Sequence, residues 1–363
     1  MLVMRNVPYL TTGRVVRHDG QLVSELTMSG DLAAAPGKHD LHFVGSVPFN
    51  ARGTRYDNII AGEGSYQLAG GMVASFHLSA RPAQPYPTYY EKMTTYANLL
   101  TGAARTVEPG ATAQRHLPVE PDDDSSVFKY LDTFSGGAVV SSIARKLELA
   151  KVAIIGLGGT GSYVLDLVAK TPVKQVHLFD GDVFYDHNAF RAPGAATLDE
   201  LRAQPTKVAY LEAHYSNMRY GIEVHPYHIG ASNLAELQSM DFVFICIDGQ
   251  AIKKHIIDYL ENQGVPFIDV GMDVYISEDA LGGVVRVTTS TPNKREHVHQ
   301  RLSLSDTHED DYRNVQIADL NALNAALAVI KWKKLFGFYH DFENEHHSLY
   351  TIDASEILNA EKT

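Results

Sequence analysis

Three glycines have the spacing of a phosphate-binding loop. Gly156, Gly158 and Gly161 follow the apolar run 152–155 and precede a predicted helix over about 162–170. The first glycine of this pattern permits a tight turn, the second lets a phosphate approach the backbone, and the third lets helix and strand pack closely. The first amides of the helix then point at the phosphates. The segment therefore predicts a nucleotide site of the Rossmann type.

An acidic residue follows the next predicted strand, 175–179. Asp180 lies 24 residues after Gly156, at the distance where a carboxylate can bond the ribose hydroxyls of a bound nucleotide. Glycines and this acid are common to many nucleotide sites. They leave a dinucleotide such as NAD and a triphosphate such as ATP both open.

Polar and cationic residues beyond Asp180 favour a triphosphate. Asn188 and Arg191 follow within the next 11 residues, and Lys207 lies in a further helical stretch. Helix amides largely satisfy the pyrophosphate of a dinucleotide, whereas a triphosphate attacked at its α-phosphorus needs additional cations and a metal. The alternative is that Arg191 and Lys207 are solvated surface residues.

Four segments together resemble the ThiF/MoeB/ubiquitin-activating enzyme superfamily. They are the GLGGTG loop at 156–161, LFDGDVFYDHNAFR at 178–191, Lys207, and FICIDG at 244–249. The resemblance covers about residues 140–340. It implies a Rossmann-like α/β adenylation domain whose mostly parallel sheet has an antiparallel C-terminal part. It also implies adenylation of the C-terminal glycine carboxylate of a ubiquitin-like or sulfur-carrier protein, with ATP and Mg²⁺.

The resemblance also implies roles for individual residues. Asp180 would hold the ribose, and Asn188, Arg191 and Lys207 would grip the triphosphate. Asp248 would hold Mg²⁺. Gly159 and Asp182 lie within the same matched motifs and are assigned to the nucleotide site with Gly156, Gly158 and Gly161. The alternative role for Asp248 is to cap the helix predicted from residue 250.

Adenylation fits the residue types that are present. A carboxylate that attacks an α-phosphate is already ionised at neutral pH, so no general base is needed. Positioning and charge neutralisation are then the protein's main contributions. Asp248 follows the apolar strand 242–247, at the carboxyl edge where open α/β sheets bind ligands.

Cysteine usage departs from much of the superfamily. The chain has one cysteine, Cys246, inside an apolar strand. A structural zinc site of four cysteines is therefore excluded. Cys246 is predicted to be a small core side chain rather than a thioester carrier. An activated ubiquitin-like tail would pass instead to a separate conjugating enzyme. Arg145 is the candidate for the arginine that superfamily members often lend across a homodimer.

The chain is predicted to have two domains. Residues 1–105 carry strand-like segments at 22–28, 40–47 and 72–79 and an aromatic-rich helix at 89–100, which predicts a smaller α+β domain. Residues 106–126 are predicted to be a linker. Residues 127–363 are predicted to form the adenylation domain.

The second domain alternates strands and helices until residue 270. A hairpin of strands at 274–277 and 283–289 then precedes a polar segment and a long amphipathic helix at 317–336. By resemblance, residues 290–313 form a crossover loop above the extended tail of the ubiquitin-like protein. Its histidines, among them His297 and His299, are predicted to be solvated, with a metal site as the alternative.

Composition limits the remaining possibilities. The chain has 363 residues and a net charge of −12, which argues against nucleic acid as the main partner. No apolar run approaches 20 residues, so no membrane span is predicted. The N-terminus lacks a signal-peptide layout, and a cytoplasmic location is expected.

Four functions remain in view. The leading one is adenylation, by a homodimer, of a ubiquitin-like C-terminus for transfer to a conjugating enzyme. The whole chain resembles bacterial activating-enzyme-like proteins of operons linked to phage defence, which implies an antiviral role. The alternatives are ThiF-like activation of a sulfur carrier or small substrate, an NAD-dependent oxidoreductase, and a non-catalytic nucleotide-binding scaffold.

Overall fold

The chain is divided into two compact units. The structure is a computed structural model that describes residues 1–30, 32–114, 116, 118–121, 126–132, 142–302 and 317–363. The first unit covers the described residues as far as Pro118, and the second covers those from Val119 onward. The predicted linker 106–126 straddles this boundary.

The first unit is an antiparallel sheet with one helix. Five strands pair in the order β1-β2-β5-β7-β6, and a two-stranded ribbon joins β3 and β4. The elements are β1 Leu2–Thr11, β2 Val15–Ser24, β3 Met28–Ser29, β4 Leu32–Ala33, β5 Leu41–Val44, β6 Ile60–Gln67, β7 Val73–Leu78 and α1 Tyr89–Ala104. This unit confirms the predicted smaller α+β domain.

Helix α1 covers one face of this sheet. The Thr88 hydroxyl accepts a hydrogen bond from the Glu91 amide and begins the helix. Met93, Tyr96 and Leu100, spaced three and four residues apart, then pack into the same core as the inward-facing side chains of β1, β5 and β7. Tyr89, Met93 and Tyr96 of the aromatic-rich helix are therefore core residues, whereas Tyr90 is 70% exposed.

The second unit is an eight-stranded sheet flanked by helices. Its strands are β8 Lys151–Ile155, β9 Gln175–Phe179, β10 Ile222–His225, β11 Phe242–Ile245, β12 Phe267–Ser277, β13 Ala280–Ser290, β14 His347–Thr351 and β15 Glu356–Ala360. Its helices are α2 Gly159–Ala169, α3 Asp186–Ala189, α4 Leu198–Ala203, α5 Lys207–Tyr215, α6 Gln250–Gln263, α7 Val298–Arg301 and α8 Ala318–Leu335.

The order of the strands creates a crevice at one edge of this sheet. The sequence of strands is β10-β9-β8-β11-β12-β13-β14-β15, parallel from β10 to β12 and antiparallel from β12 to β15. The chain passes from β8 to β9 on one side and later returns to β11 on the other. Doubly wound sheets bind ligands at such a switch point, outside the carboxyl ends of the strands.

Both faces of the parallel part are buried. Val152 and Ile154 of β8 pack with α2, α5 and α8, whereas Ala153 and Ile155 pack with α6 and α7. Burial on both sides explains why these strands are apolar throughout and lack alternation. The predicted mostly parallel α/β domain with an antiparallel C-terminal part is confirmed.

Arg219 holds the end of α2 inside the second unit. Its guanidinium is fully buried and donates hydrogen bonds to the carbonyl groups of Ala169, Thr171 and Val173. Its Nε donates to the Tyr220 carbonyl at 2.9 Å. Burial lowers the pKa of Arg219 to about 10. The guanidinium therefore satisfies carbonyl groups that the end of a helix leaves without partners.

Part of the predicted crossover loop is structured and buried. Residues 291–302 follow β13 directly, and Val298 and Leu302 reach the core beneath α6. His297 is buried, so its predicted solvation is wrong, whereas His299 is more exposed and lies 3.1 Å from Glu261. The polar residues of this segment did not predict that the chain folds back against the sheet here. Residues 303–313 lie outside the described residues.

Two lysines of α8 bind two acids of the following loop. Lys331 Nζ lies 2.8 Å from Asp341, and Lys334 Nζ lies 3.0 Å from Glu345. All four charged groups are largely shielded from solvent. Burial raises the pKa of Asp341, but the lysines outweigh this effect and bring the pKa to about 2. The loop is thus anchored electrostatically to α8.

The anchoring by Asp341 predicts a pH-dependent stability. Because the folded pKa is depressed below the unfolded value of about 3.9, the contribution is complete above pH 4 and is lost as the pH falls toward 2. Asp341→Asn should therefore lower the free energy of unfolding at pH 6, and the deficit should shrink below pH 4. Denaturant unfolding at several pH values measures it. Glu343→Gln, an exposed change in the same loop, should show no such trend.

Among the described residues, no helix is both long enough and apolar enough to cross a bilayer.

Candidate nucleotide site

The glycine loop begins where β8 ends, at the switch point of the sheet. Gly156 has φ +86°, a conformation that strains any residue with a side chain. A Cβ atom there would also lie 2.6 Å from the carbonyl oxygen of Cys246, which follows β11. Gly156 is therefore required both by the turn and by the close approach of the neighbouring strand.

The remaining loop glycines form the start of α2. Gly158 is the N-cap of this helix, and nothing lies within 4 Å of the position a Cβ would take. Gly159 and Gly161 belong to the first turn. The open space at Gly158, beside the unpaired amides of a helix N-terminus, is suited to a phosphate group. The four predicted loop glycines therefore lie together.

Asp180 is a buried residue that shapes the loop. Its two carboxylate oxygens accept hydrogen bonds from the backbone amides of Leu157, at 2.7 Å, and Asp182, at 2.9 Å. Only 5% of the residue is exposed. The carboxylate thus ties the end of β9 to the glycine loop, a role that the sequence did not reveal.

Asp182 presents the more accessible carboxylate. Its side chain is 54% exposed and lies 2.6 Å from Lys207 Nζ, which is itself almost fully buried and 3.5 Å from Asp180. The hydrogen bond from Lys207 lowers the pKa of Asp182. Lys207 thus neutralises part of the charge of two neighbouring acids, and it is not the solvated surface residue considered as an alternative.

Asn188 and Arg191 lie on and just after the short helix α3. The Asn188 Oδ1 atom accepts a hydrogen bond from the Tyr185 amide, so its Nδ2 group points the other way. Asn188 Nδ2 and Arg191 Nε are both buried, and neither has a hydrogen-bond partner among the described residues. Unpaired buried donors are rare because leaving them unpaired costs about 1–3 kcal/mol. Such donors are suited to an anionic ligand.

Arg191 and Asp248 are predicted site residues that follow the two strands on either side of β8. Burial lowers the pKa of the Arg191 guanidinium, and the Asp248 carboxylate opposes this effect. Arg191 follows β9 and Asp248 follows β11, while β8 lies between these two strands. The fold therefore brings two predicted residues that are 57 positions apart in the chain to the same edge of the sheet.

Metal-binding donors occur at two places near the loop. Within the described residues, one group of possible ligands lies within 4.8 Å, comprising Asp180, Asp182 and His228. The Lys207 ammonium already forms an ion pair with Asp182 in this group, and its positive charge disfavours the binding of a metal cation beside it. Asp248 is exposed and offers the oxygen donor that Mg²⁺ prefers. The predicted assignment of Mg²⁺ to Asp248 is chemically compatible with the site.

A buried ionic cluster near the site was not predicted. Asp269 on β12 is fully buried, with Lys253 Nζ at 2.9 Å and Arg286 Nη2 at 2.6 Å. Lys253 lies five residues after Asp248, on α6. The only sequence signal was an acid within the apolar segment 265–270. The ion pair from Lys253 to Asp269 anchors the first turn of α6 to β12. This helix begins two residues after Asp248.

Cys246 lies directly after β11 and packs against the core as a partly buried residue. Burial, reinforced by the Asp269 carboxylate, raises the pKa of its thiol. A thiol attacks as the thiolate, so this environment makes Cys246 a poor nucleophile at neutral pH. The predicted core role fits these surroundings.

Replacing Cys246 with serine should leave the nucleotide affinity of this site within about twofold of wild type, because burial keeps the thiol protonated and unreactive. Calorimetric titration with nucleotide measures this. Intact mass of the wild-type protein, after incubation with nucleotide and a candidate acyl donor, should show no thioester on this chain. A hydroxylamine-sensitive adduct that disappears in Cys246→Ser would contradict the prediction.

Arg145 begins a short 3₁₀ turn ahead of β8 and is exposed. Its predicted role across a homodimer stays a prediction.

The switch-point crevice and its glycine loop define a nucleotide-binding α/β domain. Residues 137–356 match the family model described as the ThiF family, so the chain belongs to the ThiF family. Residues 1–133 match a domain of unknown function, DUF6791.

Individual relatives match parts of the chain. Ubiquitin-like modifier-activating enzyme 5 of Drosophila grimshawi is 25% identical over 179 residues, which are 45% of this chain and 42% of that enzyme. The chain thus spans less than half of that relative's length. The crystal structure of E. coli MccB with AMPCPP and MccA is 18% identical, with a TM-score of 0.49, over 62% of this chain and 68% of MccB. PaaA is 16% identical, with a TM-score of 0.47, over 62% and 76%.

Proposed function

We propose that this chain uses ATP and Mg²⁺ to adenylate the C-terminal glycine carboxylate of a ubiquitin-like protein. The carrying observation is the pair of buried donors, Asn188 Nδ2 and Arg191 Nε, that have no hydrogen-bond partner among the described residues. Both follow β9, at the edge of the sheet where the glycine loop follows β8. Donors left unpaired beside a phosphate loop favour a ligand with more phosphate oxygens than the loop amides alone can bind, such as a triphosphate.

The polar groups suggest a division of roles for binding ATP. The α2 amides receive phosphate oxygens, and Asn188 Nδ2, Arg191 and Lys207 supply further donors. Asp182 contacts the ribose more readily than Asp180, because both oxygens of Asp180 already accept backbone amides. Asp248 would hold Mg²⁺, which supplies charge neutralisation at the phosphates when bound.

The proposed reaction is a substitution at the α-phosphorus. A carboxylate oxygen of the partner's terminal glycine forms a bond to this phosphorus, the bond to the bridging oxygen breaks, and pyrophosphate leaves. Arg191 and Lys207 reduce the repulsion between the two anions and hold them in line. A cysteine thiolate of a separate conjugating enzyme then attacks the acyl carbon of the mixed anhydride, so that a thioester forms on that enzyme and AMP leaves. The environment of Cys246 disfavours a thioester on this chain.

The decisive experiment combines the protein with MgATP and a ubiquitin-like protein that ends in glycine. We expect ATP–pyrophosphate exchange that requires both, and an adenylated partner by intact mass. A partner whose terminal glycine is deleted is the control. Adding a conjugating enzyme tests direct transfer to its cysteine.

Other outcomes would identify other functions. Exchange with a sulfur carrier or a small carboxylate alone would indicate a different substrate. Tight NAD binding without ATP binding would overturn adenylation in favour of redox chemistry. ATP binding without any adenylate would indicate a scaffold. A homodimer and a role in antiviral defence remain proposals from the resemblance alone.

A further inference from the structure

Helix α8 contacts the glycine loop through the buried amide of Asn321. Asn321 lies in the first turn of α8 and is only 1% exposed. Its Oδ1 atom accepts a hydrogen bond from the Thr160 hydroxyl at 2.8 Å, and its Nδ2 donates to the Ile317 carbonyl at 2.9 Å. Rotating the amide by 180° would break both bonds, so the network fixes its orientation.

The same amide occupies the space beside Gly159. A Cβ atom on Gly159 would overlap the Asn321 side chain, whose three amide atoms are the nearest atoms to that position. Gly159 has an ordinary helical backbone, so neither turn geometry nor a positive φ requires glycine here. The close approach of Asn321 therefore explains this glycine.

We propose that Asn321 is a positioning residue of the nucleotide site, and that its amide sets the first turn of α2 through Gly159 and Thr160. The amides of this turn are the donors to phosphate in the proposed function, on which this inference rests. Asn321 does not contact the phosphates. It holds the backbone amides of the first turn of α2 in place. Binding sites need such supporting groups, because their donors must lie within a fraction of an ångström of the productive position.

A suppressor experiment tests the space beside Gly159. Gly159→Ala should weaken MgATP binding about 10- to 100-fold, because the methyl group pushes the turn away from α8. Adding Asn321→Ala removes the obstacle, so the double variant should bind more tightly than Gly159→Ala alone. Calorimetric titration with MgATP measures both. A double variant that binds no more tightly than the single one would overturn the inference.

Asn324 provides the matched control. It lies one turn along α8, is equally buried, and donates to the Gly271 carbonyl at 2.9 Å, and among the described residues it has no hydrogen bond to the loop. Asn324→Ala should not rescue Gly159→Ala. Rescue by both alanines would show that general loosening of α8 is responsible, and would contradict a specific role for Asn321.

The hydrogen bond is tested separately. Thr160→Val keeps the side-chain shape, removes the donor, and should weaken MgATP binding about 5- to 10-fold. It also leaves the buried Asn321 Oδ1 atom without its donor, so the thermal midpoint should fall as well, and binding is measured well below that midpoint. In Asn321→Leu, Thr160→Val should have little further effect, since the bond is already absent. Independent, additive effects would contradict the proposed link.

A ligand-free measurement separates this inference from the proposed function. Amide hydrogen exchange of Ser162, whose amide donates to the Gly158 carbonyl in the first turn, should be faster in Asn321→Leu than in wild type without nucleotide. Should the wild type bind no MgATP, the proposed function fails, and faster exchange would still support positioning by Asn321. Unchanged exchange in this variant would overturn it.

Discussion

Replacing Arg191 with alanine is expected to lower the rate of ATP–pyrophosphate exchange by about 10²- to 10³-fold, as found when one donor to developing charge is removed. The reason is that part of this side chain is buried with no structural role. Its Nε is buried without a partner among the described residues, and burial lowers the pKa of the guanidinium. The guanidinium therefore has no structural hydrogen bond at Nε to lose.

The same environment makes this variant easier to interpret than a change at Lys207. Lys207→Ala would remove the cation between Asp180 and Asp182 and would alter the loop as well as the chemistry. Arg191→Ala should leave the thermal midpoint within about 2 °C, because its truncation leaves no partner of Nε unpaired. Arg191→Lys keeps the positive charge but loses the planar guanidinium with its several donors. Its exchange rate should therefore lie between those of Arg191→Ala and wild type.

Arg202→Ala is the matched control for Arg191. It removes an arginine from the exposed surface of α4, where the only contact described is with Asp199 at 3.0 Å. Exchange should stay within about twofold, because exposed ion pairs contribute little. Should Arg191→Ala also stay within twofold, Arg191 has no role in the proposed site.

The second large effect is on stability. Arg219→Met should lower the free energy of unfolding by about 3 kcal/mol, since several buried carbonyl groups lose their donor at once. Burial lowers the pKa of Arg219 to about 10, so keeping the charged guanidinium in the core is itself unfavourable. Its removal therefore offsets part of the loss in the free energy of unfolding. For a unit of this size the thermal midpoint should fall by roughly 6–12 °C.

Arg219→Lys separates charge from geometry. Lysine keeps a positive charge but cannot donate to three carbonyl groups in one plane, so it should be destabilising by at least half as much. Arg202→Met, on the exposed surface, should be neutral within about 0.5 kcal/mol. A loss below about 1 kcal/mol in Arg219→Met would show that water replaces the guanidinium at these carbonyl groups.

The placement of the predicted site residues at one edge of the sheet could be predicted because they follow the ends of apolar strands. Gly156, Asp180 and Asp248 each come soon after such a strand, and parallel strands bring their carboxyl ends to one edge. What could not be predicted is which polar groups bond one another. The ribose role of Asp180 stays a prediction, and nothing in a linear pattern showed that its oxygens also accept two backbone amides.

Strands without an apolar pattern were missed. β6 has the sequence IAGEGSYQ and forms an edge of its sheet, where glycines and charges are tolerated. β15 is likewise an edge strand with little burial. The segment 198–218 forms two helices, α4 and α5, because Gln204 takes a left-handed conformation before Pro205. The two edge strands pair with their neighbours in the chain, β6 with β7 and β15 with β14, so pairing rather than apolar composition defines them.

The packing of Gly156 against Cys246 has a consequence for the order in which the chain folds. The glycine loop is complete in the sequence at residue 161, but its backbone rests against the carbonyl group that follows β11, some 90 residues later in the chain. Parallel pairing of β8 with β11 must therefore precede the final shape of the loop. During synthesis the chain should acquire affinity for nucleotide only after β11 has left the ribosome, well after α2 could form.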